Sequence, residues 1–256
     1  MKIKFFKYQA TGNDFVIIDN RTGNYTLTIE QIMRLCDRKF GVGCDGVMII
    51  ENDPEFDFKL SYYNGDGTQS LCGNGSRAAV KIASDLGVID GKTTFNAYDG
   101  PHEAEVLGND IIKLKMNDVN ELKNVDGGVS VNTGSPHFVK FVATLNDYPV
   151  TPEGRAIRYS KTFHPIGTNA NFVEEMGNNT LFVRTYERGV EEETLSCGTG
   201  VTASALAASL KGYTSPVKIK VLGGELSIEF KSKGNAFSDI YLIGPARKVF
   251  EGEIEI

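Results

Sequence analysis

The sequence has no tryptophan, only three histidines and only four cysteines in 256 residues. Four cysteines are too few to staple a chain of this length. None stands in a C-x-x-C pair or close in sequence to a histidine, so neither a disulfide scaffold nor a metal site is expected. Long apolar runs are missing too. No stretch approaches the roughly 18 residues needed to cross a bilayer. The first segment, "MKIKFFKYQATGNDF", alternates charge with apolar residues as a strand does and lacks the apolar core of a secretion signal. These absences predict no membrane association and a cytoplasmic protein with reduced thiols. Clustered basic residues are also absent, and the net charge is −6, so no nucleic-acid partner is expected. Hydrophobic residues at 41% and charged residues at 23% are the balance of a globular protein. The length suits one large domain or two ordinary ones.

The chain repeats itself once. Cys72-Gly-Asn-Gly matches Cys197-Gly-Thr-Gly, and each is followed by an alanine-rich run ending at a glycine 15 residues on, Gly87 and Gly212. Upstream, "TGNDFV" from Thr11 corresponds to "TGSPHFV" from Thr133. Between these landmarks, "GCDGVMII" from Gly43 corresponds to "GTNANFVE" from Gly167. Three landmarks recurring in order suggest two similar domains facing each other across a cleft. The period is too long for a solenoid.

Alternating patterns predict strands over 3–8, 15–19, 47–51, 58–63, 111–116, 181–186, 217–221, 226–230 and 240–243. Helices are predicted over 29–40 and after each of Cys72 and Cys197. The architecture is therefore α+β: two pseudo-symmetric, strand-rich domains, each a barrel-like sheet around a central helix. The polar stretch 116–126 marks the boundary, giving an amino-terminal domain of 1–116, to which 246–256 returns, and a second domain of 117–245. In the helix after Cys72, Arg77, Lys81 and Asp85 share one stripe, expected to be solvated or at a domain edge. Ala78, Ala79, Ile82, Ala83 and Leu86 form its buried face. The helix after Cys197 is small or apolar all round and is expected to be fully buried.

A cysteine at a helix mouth sits beside unpaired N–H groups and a partial positive charge, where a thiol ionises more readily and a carboxylate binds well. A lone C-G-x-G reads as an inert buried cysteine; two related by an internal repeat read as functional. Cys36 is expected on the apolar face of the 29–40 helix with Ile29, Ile32 and Met33, and Cys44 in a glycine-rich, partly accessible loop. "GVGCDG" at 41–46 has the spacing of a dinucleotide motif but follows a helix and opens a strand, so it reads as a tight turn. His137 stands out because it falls in the second copy of the "TGNDF" landmark. In "YERGVEEETLSC", Arg188 could clamp a carboxylate, and Glu187 could bind an ammonium group or tune a thiol.

These blocks resemble the diaminopimelate epimerase family. The resemblance runs through "ATGNDFVIID", "GVGCDG", "YYNGDG", "CGNGSR", "TGSPHFV", "TNANFV", "YERGVEEETLSCGTG" and "GPARKVFEG", essentially the whole chain. It implies cofactor-independent epimerisation of LL-2,6-diaminopimelate to the meso form, a step towards lysine and peptidoglycan precursors. It further implies a small amino acid as partner and a homodimer. Cys72 and Cys197 take the places of the catalytic thiolate and thiol, and His137 and Glu187 those of residues that tune them. Asn13, Asn64, Gly73, Asn74, Asn169, Glu187, Arg188, Gly198 and Thr199 match substrate-binding positions. The chain departs from the family at Ser135, where asparagine is usual, and by one residue fewer between "NGDG" and "CGNG". The alternatives are a racemase of the same fold acting on histidine or proline, and a two-lobed amino-acid-binding protein that does no chemistry.

Overall fold

Period-two burial sets most of the fold: in strand after strand, buried and exposed residues alternate or one face is wholly apolar. The computed structural model describes residues 1–70, 72–108 and 110–256. It divides into two compact units, Met1–Leu114 with Gly244–Ile256, and Lys115–Ile243.

The first unit contains β1 (Lys2–Ala10), β2 (Asn13–Asp19), α1 (Ile29–Cys36), β3 (Gly46–Glu51), β4 (Lys59–Asn64), α2 (Gly73–Asp85), β5 (Lys92–Ala97), β6 (Gly100–Gly108) and β7 (Ile111–Lys115). The second contains β8 (Lys123–Val125), β9 (Gly128–Asn132), β10 (Pro136–Phe141), α3 (Val150–Arg158), β11 (Asn169–Glu175), β12 (Thr180–Glu187), β13 (Glu192–Thr194), α4 (Gly198–Ser209), β14 (Val217–Val221), β15 (Gly224–Lys233) and β16 (Ala236–Pro245). The last strand, β17 (Arg247–Glu255), returns to the first unit and pairs antiparallel with β1.

The repeat is visible in the pairing. In the first unit, β1–β2 is antiparallel, β2–β3 parallel, β3–β4 antiparallel, β4–β5 parallel, and β5–β6 and β6–β7 antiparallel. In the second, β9–β10, β10–β11, β11–β12, β12–β14, β14–β15 and β15–β16 follow the same alternation. A parallel pair needs a crossover. α1 and α3 supply one crossover in each unit, and α2 and α4 the other.

The strands wrap around those second helices. α2 packs on β1, β2, β3, β6 and β17, and α4 on β9, β10, β11, β12, β14 and β15. α4 is buried on every side, as its composition predicts; Thr202 and Ser204 satisfy their hydroxyls on the carbonyls of Gly198 and Gly200 at 2.9 and 2.8 Å.

Four expectations need correction. The first helix ends at Cys36, because Asp37 leaves helical geometry (ψ 122°) and its carboxylate accepts from the N–H groups of Lys39 and Phe40. Its buried face is Ile32, Leu35 and Cys36, while Ile29 and Met33 are exposed. Cys44 is buried, its thiol donating to Cys36 Sγ at 3.5 Å, a bond that holds the Cys44 proton in place and favours charge on Cys36. Arg77 is not solvated at all: its relative exposure is 0%, although Lys81 and Asp85 further along the stripe do pair near the surface.

Candidate active site

Each unit carries a cysteine as the N-cap of its central helix, in nearly the same extended conformation: φ −129°, ψ 113° at Cys72 and φ −122°, ψ 110° at Cys197. The surroundings differ.

In the first unit, Cys72 Sγ accepts from Gly75 N–H at 3.4 Å and donates to Asn13 Oδ1 at 3.5 Å. Asn74 Nδ2 donates to the same oxygen at 3.4 Å, so Asn13, Cys72, Gly73 and Asn74 come together. Asn13 Nδ2 donates to Asp45 Oδ2 at 2.6 Å, and Asp45 and Asp14 share Arg38. Burial would raise the Asp14 carboxyl, but its bonds to Arg38 and the buried Lys7 hold it at about 2. Asn64 sits apart at the end of β4. Its amide donates to Thr68 and Ser70, bracing the loop that leads toward the cysteine. Leu71, in the shortened stretch, lies outside the described residues.

Behind Cys72 lies Arg77. Its guanidinium donates to Gly73 O at 3.4 Å, Asn74 Oδ1 at 3.0 Å and Thr11 Oγ1 at 3.4 Å, and Nε has no partner. Burial lowers it to about 10, so it remains charged at neutral pH. Among the described residues the one ionisable group whose charge acts on it is Cys72. A buried cation without a carboxylate is costly, and a sulfur anion at position 72 is the charge that would offset it. Burial together with the Cys72 charge also pushes the nearby Tyr62 phenol upward, keeping it neutral.

In the second unit, Cys197 Sγ lies 3.5 Å from Thr199 Oγ1, which lies 2.9 Å from His137 Nε2. His137 is on β10 and fully buried. Asn169 is buried beside it in β11, its amide donating to Ser135 Oγ and Pro136 O, both at 2.9 Å, and accepting from Arg188 N–H at 2.8 Å. Ser135 is thus tied to Asn169. The Arg188 side chain donates to Ile166 O at 3.3 Å, and Glu187 accepts from Thr194 at 3.0 Å across the β12–β13 hairpin. Gly198 and Thr199 form the first turn of α4, and the Thr199 carbonyl accepts from Thr133 Oγ1 at 2.9 Å. Gly200 is required by close approach: a Cβ there would stand 2.3 Å from Asn171 Oδ1. Asn171, Thr185, Arg77 and Thr11 join these hydrogen-bond networks, and pattern reading passes over them. "TNANFV" did carry a signal, since Asn169 and Asn171 are two apart and share one strand face.

Burial, reinforced by the Arg188 charge, lowers the His137 imidazole to about 3. An unfolded histidine titrates near 6.5, so below that pH the unfolded chain takes up a proton that the folded one refuses. Stability contributed by this group is full above pH ~6.5 and falls by about 1.4 kcal/mol per pH unit toward pH ~3. Urea unfolding at about pH 7 and about pH 5 is expected to show the wild type losing about 2 kcal/mol more than His137→Gln. Equal losses would mean that the imidazole is not held neutral by burial.

Chemically, each unit offers a thiol beside the N–H groups of a helix N-terminus, a pairing suited to proton transfer next to a bound carboxylate. The chain matches the family described as Diaminopimelate epimerase over residues 5–121 and 129–249. A diaminopimelate epimerase from Flavobacterium psychrophilum is 48% identical, over 98% of this chain and 100% of its own. One from Aquifex aeolicus is 40% identical, with 98% of each chain covered. Among solved structures, a phenazine biosynthesis protein of the PhzF family from Bacillus anthracis superposes with a TM-score of 0.78 at 15% identity, over 100% of both chains. A hydroxyproline epimerase from Agrobacterium vitis gives 0.67 at 12%, over 99% of this chain and 92% of its own. Such low identities speak for the fold alone, the α+β two-domain architecture. The near-full-length match to the family and its curated relatives goes further: this chain belongs to the diaminopimelate epimerase family.

Proposed function

We propose that the chain converts LL-diaminopimelate to meso-diaminopimelate, with Cys72 and Cys197 as the two bases and no pyridoxal phosphate. The observation that supports this most directly is the pair of helix-capping cysteines, each on the same repeated scaffold and each with a different proton partner. The α-proton of an amino acid is very weakly acidic. Helix N–H groups holding the substrate carboxylate stabilise the charge that develops when that proton leaves. Inversion needs a proton taken from one face of the carbon and another given to the opposite face, so one sulfur begins as thiolate and the other as thiol. After one turnover the two have exchanged roles. Asn13, Asn64, Gly73, Asn74, Asn169, Glu187, Arg188, Gly198 and Thr199 are proposed to hold the substrate, and His137 and Glu187 to tune the sulfurs. The enzyme is proposed to act in the cytoplasm as a homodimer, on the route to lysine and peptidoglycan precursors.

The test is incubation with LL-diaminopimelate in deuterated water without added cofactor. Solvent deuterium at the α-carbon together with meso product is expected. Turnover of histidine or hydroxyproline far above diaminopimelate would overturn the substrate, and binding without deuterium exchange would overturn the chemistry.

A further inference from the structure

Asn171 is an amide buried in β11 where an apolar residue would suffice. The corresponding register position of the first unit is Val47, opposite Val16, as Asn171 is opposite Val139. Its Oδ1 accepts from the Thr185 hydroxyl, and its Nδ2 donates to Phe138 O, both at 3.0 Å. A carbonyl can only accept, so the amide cannot be turned round. The same Nδ2 lies 3.1 Å from His137 Nδ1, which must therefore be the accepting nitrogen. A neutral imidazole has one proton, and here it belongs on Nε2, which donates to Thr199 Oγ1 at 2.9 Å. Among the described residues, Cys197 Sγ at 3.5 Å is then the one acceptor offered to the Thr199 hydroxyl proton. Hydrogen bonds to an anion are the stronger kind, so this chain favours sulfur as thiolate.

Cys72 faces a different arrangement: its sulfur accepts from Gly75 N–H at 3.4 Å, but its own proton also has a built acceptor. Its proton goes to Asn13 Oδ1, and that amide is fixed because its Nδ2 donates to the Asp45 carboxylate. Arg77 favours an anion at Cys72, but it makes no hydrogen bond to the sulfur. Its charge helps most in the second half of turnover, when Cys72 holds the negative charge. The other charged groups on strands packed against α4 are engaged elsewhere: Lys140 with Glu153, Arg184 with Glu193, Glu174 with Leu145 N–H, Glu175 with Lys211, Lys231 with Asp239 and Tyr186 with Glu191. Glu187 is held by Thr194 and Glu229 has its own partner; Lys218, Lys220, Glu225 and Lys233 are exposed.

We propose that Asn171 is a positioning residue: by fixing His137 as the Nε2–H tautomer it aims the Thr199 hydroxyl at Cys197, making Cys197 the thiolate and Cys72 the thiol of the resting pair. The inference rests on the reading of these two cysteines as the bases. The resting state can nevertheless be measured without substrate.

The experiment is iodoacetamide alkylation of the substrate-free protein across a pH series, read for each cysteine peptide by mass spectrometry. Cys197 is expected to react with a lower pH midpoint than Cys72. In Asn171→Asp, an acceptor replaces the donor at His137 Nδ1, the tautomer reverses, and the Cys197 midpoint rises by about one pH unit, roughly tenfold slower alkylation at neutral pH. The Cys72 midpoint stays where it was, which general loosening of the fold would not achieve. Thr199→Val is expected to reproduce the shift and Thr199→Ser to cancel it. Should Asn171→Asp fail to fold, the ¹⁵N shifts of the wild-type His137 ring decide: a protonated Nε2 and bare Nδ1 support the proposal, and the reverse overturns it. A Cys72 midpoint at or below that of Cys197, or a wild-type profile in folded Asn171→Asp, also overturns it. Loss of epimerase activity on diaminopimelate with this alkylation pattern intact would instead count against the proposed function alone.

Discussion

Alanine at either Cys72 or Cys197 is expected to cut epimerisation by about 10²–10⁴-fold, the range for losing a general acid or base. Each sulfur has its own hydrogen-bond partner, Asn13 Oδ1 for Cys72 and Thr199 for Cys197, and a methyl group can neither take nor give a proton. Cys36→Ala and Cys44→Ala are the controls. Their sulfurs contact each other in the core beneath α1, among Ile32, Leu35 and Val47, so they should cost about 1 kcal/mol of stability and little turnover. Urea midpoints and steady-state rates on the four variants separate the two effects. Near-normal rates in either Cys72→Ala or Cys197→Ala would end the two-base reading.

Arg77→Met is expected to keep the fold and lose activity. The guanidinium is fully buried, unpaired with any carboxylate among the described residues, and incompletely hydrogen-bonded at Nε. Replacing such a charge with an apolar side chain of similar length is often neutral or stabilising. Its electrostatic influence falls on Cys72. Losing one preorganised charge at a reacting group costs about 10²–10³-fold in rate. The expected result is an unchanged or higher melting temperature, a drop of that order in kcat, and a pH–rate profile displaced to higher pH, because Cys72 loses the cation that favours its anion. A variant that melts far lower, or one that turns over normally, would show that Arg77 serves packing and not charge.

The fold was legible where polarity and burial agree. β3 reads as an apolar run and is buried; α4 reads as small and apolar all round and is buried. The duplication was visible because glycines and cysteines mark the same turn and the same helix mouth in both copies. Strands that carry the site's polar groups were harder to see. β10 and β11 hold His137, Asn169 and Asn171 inside the core, so their buried faces look like loop sequence. β17, "RKVFEGEIE", is largely exposed and has little apolar alternation to read. The 150–158 helix hides behind Pro152 and Gly154. Gly154 is needed there because a Cβ would meet the Tyr186 side chain at 2.3 Å. The charged stripe of α2 misled for a related reason. Period counting places Arg77 with Lys81 and Asp85, but only the later turns reach solvent, while the first is enclosed with Cys72. Patterning placed both cysteines at helix mouths; the direction of their hydrogen bonds depends on Asn13, Asn171 and Thr199, which only coordinates bring within reach.

The first and last strands of the chain lie side by side, from Lys2 opposite Glu255 to Gln9 opposite Arg247. Protein synthesis runs from one end, so β1 emerges first and its neighbour β17 last, after the whole second unit has been made. Throughout that interval the flank of β1 awaiting β17 is an open edge whose backbone groups could pair with another nascent chain. Its free end carries Lys2 and Lys4 on the solvent side, and charged side chains of this kind discourage intermolecular pairing. That edge of β1 therefore closes late, with two lysines guarding it until Glu253 and Glu251 arrive to pair with them.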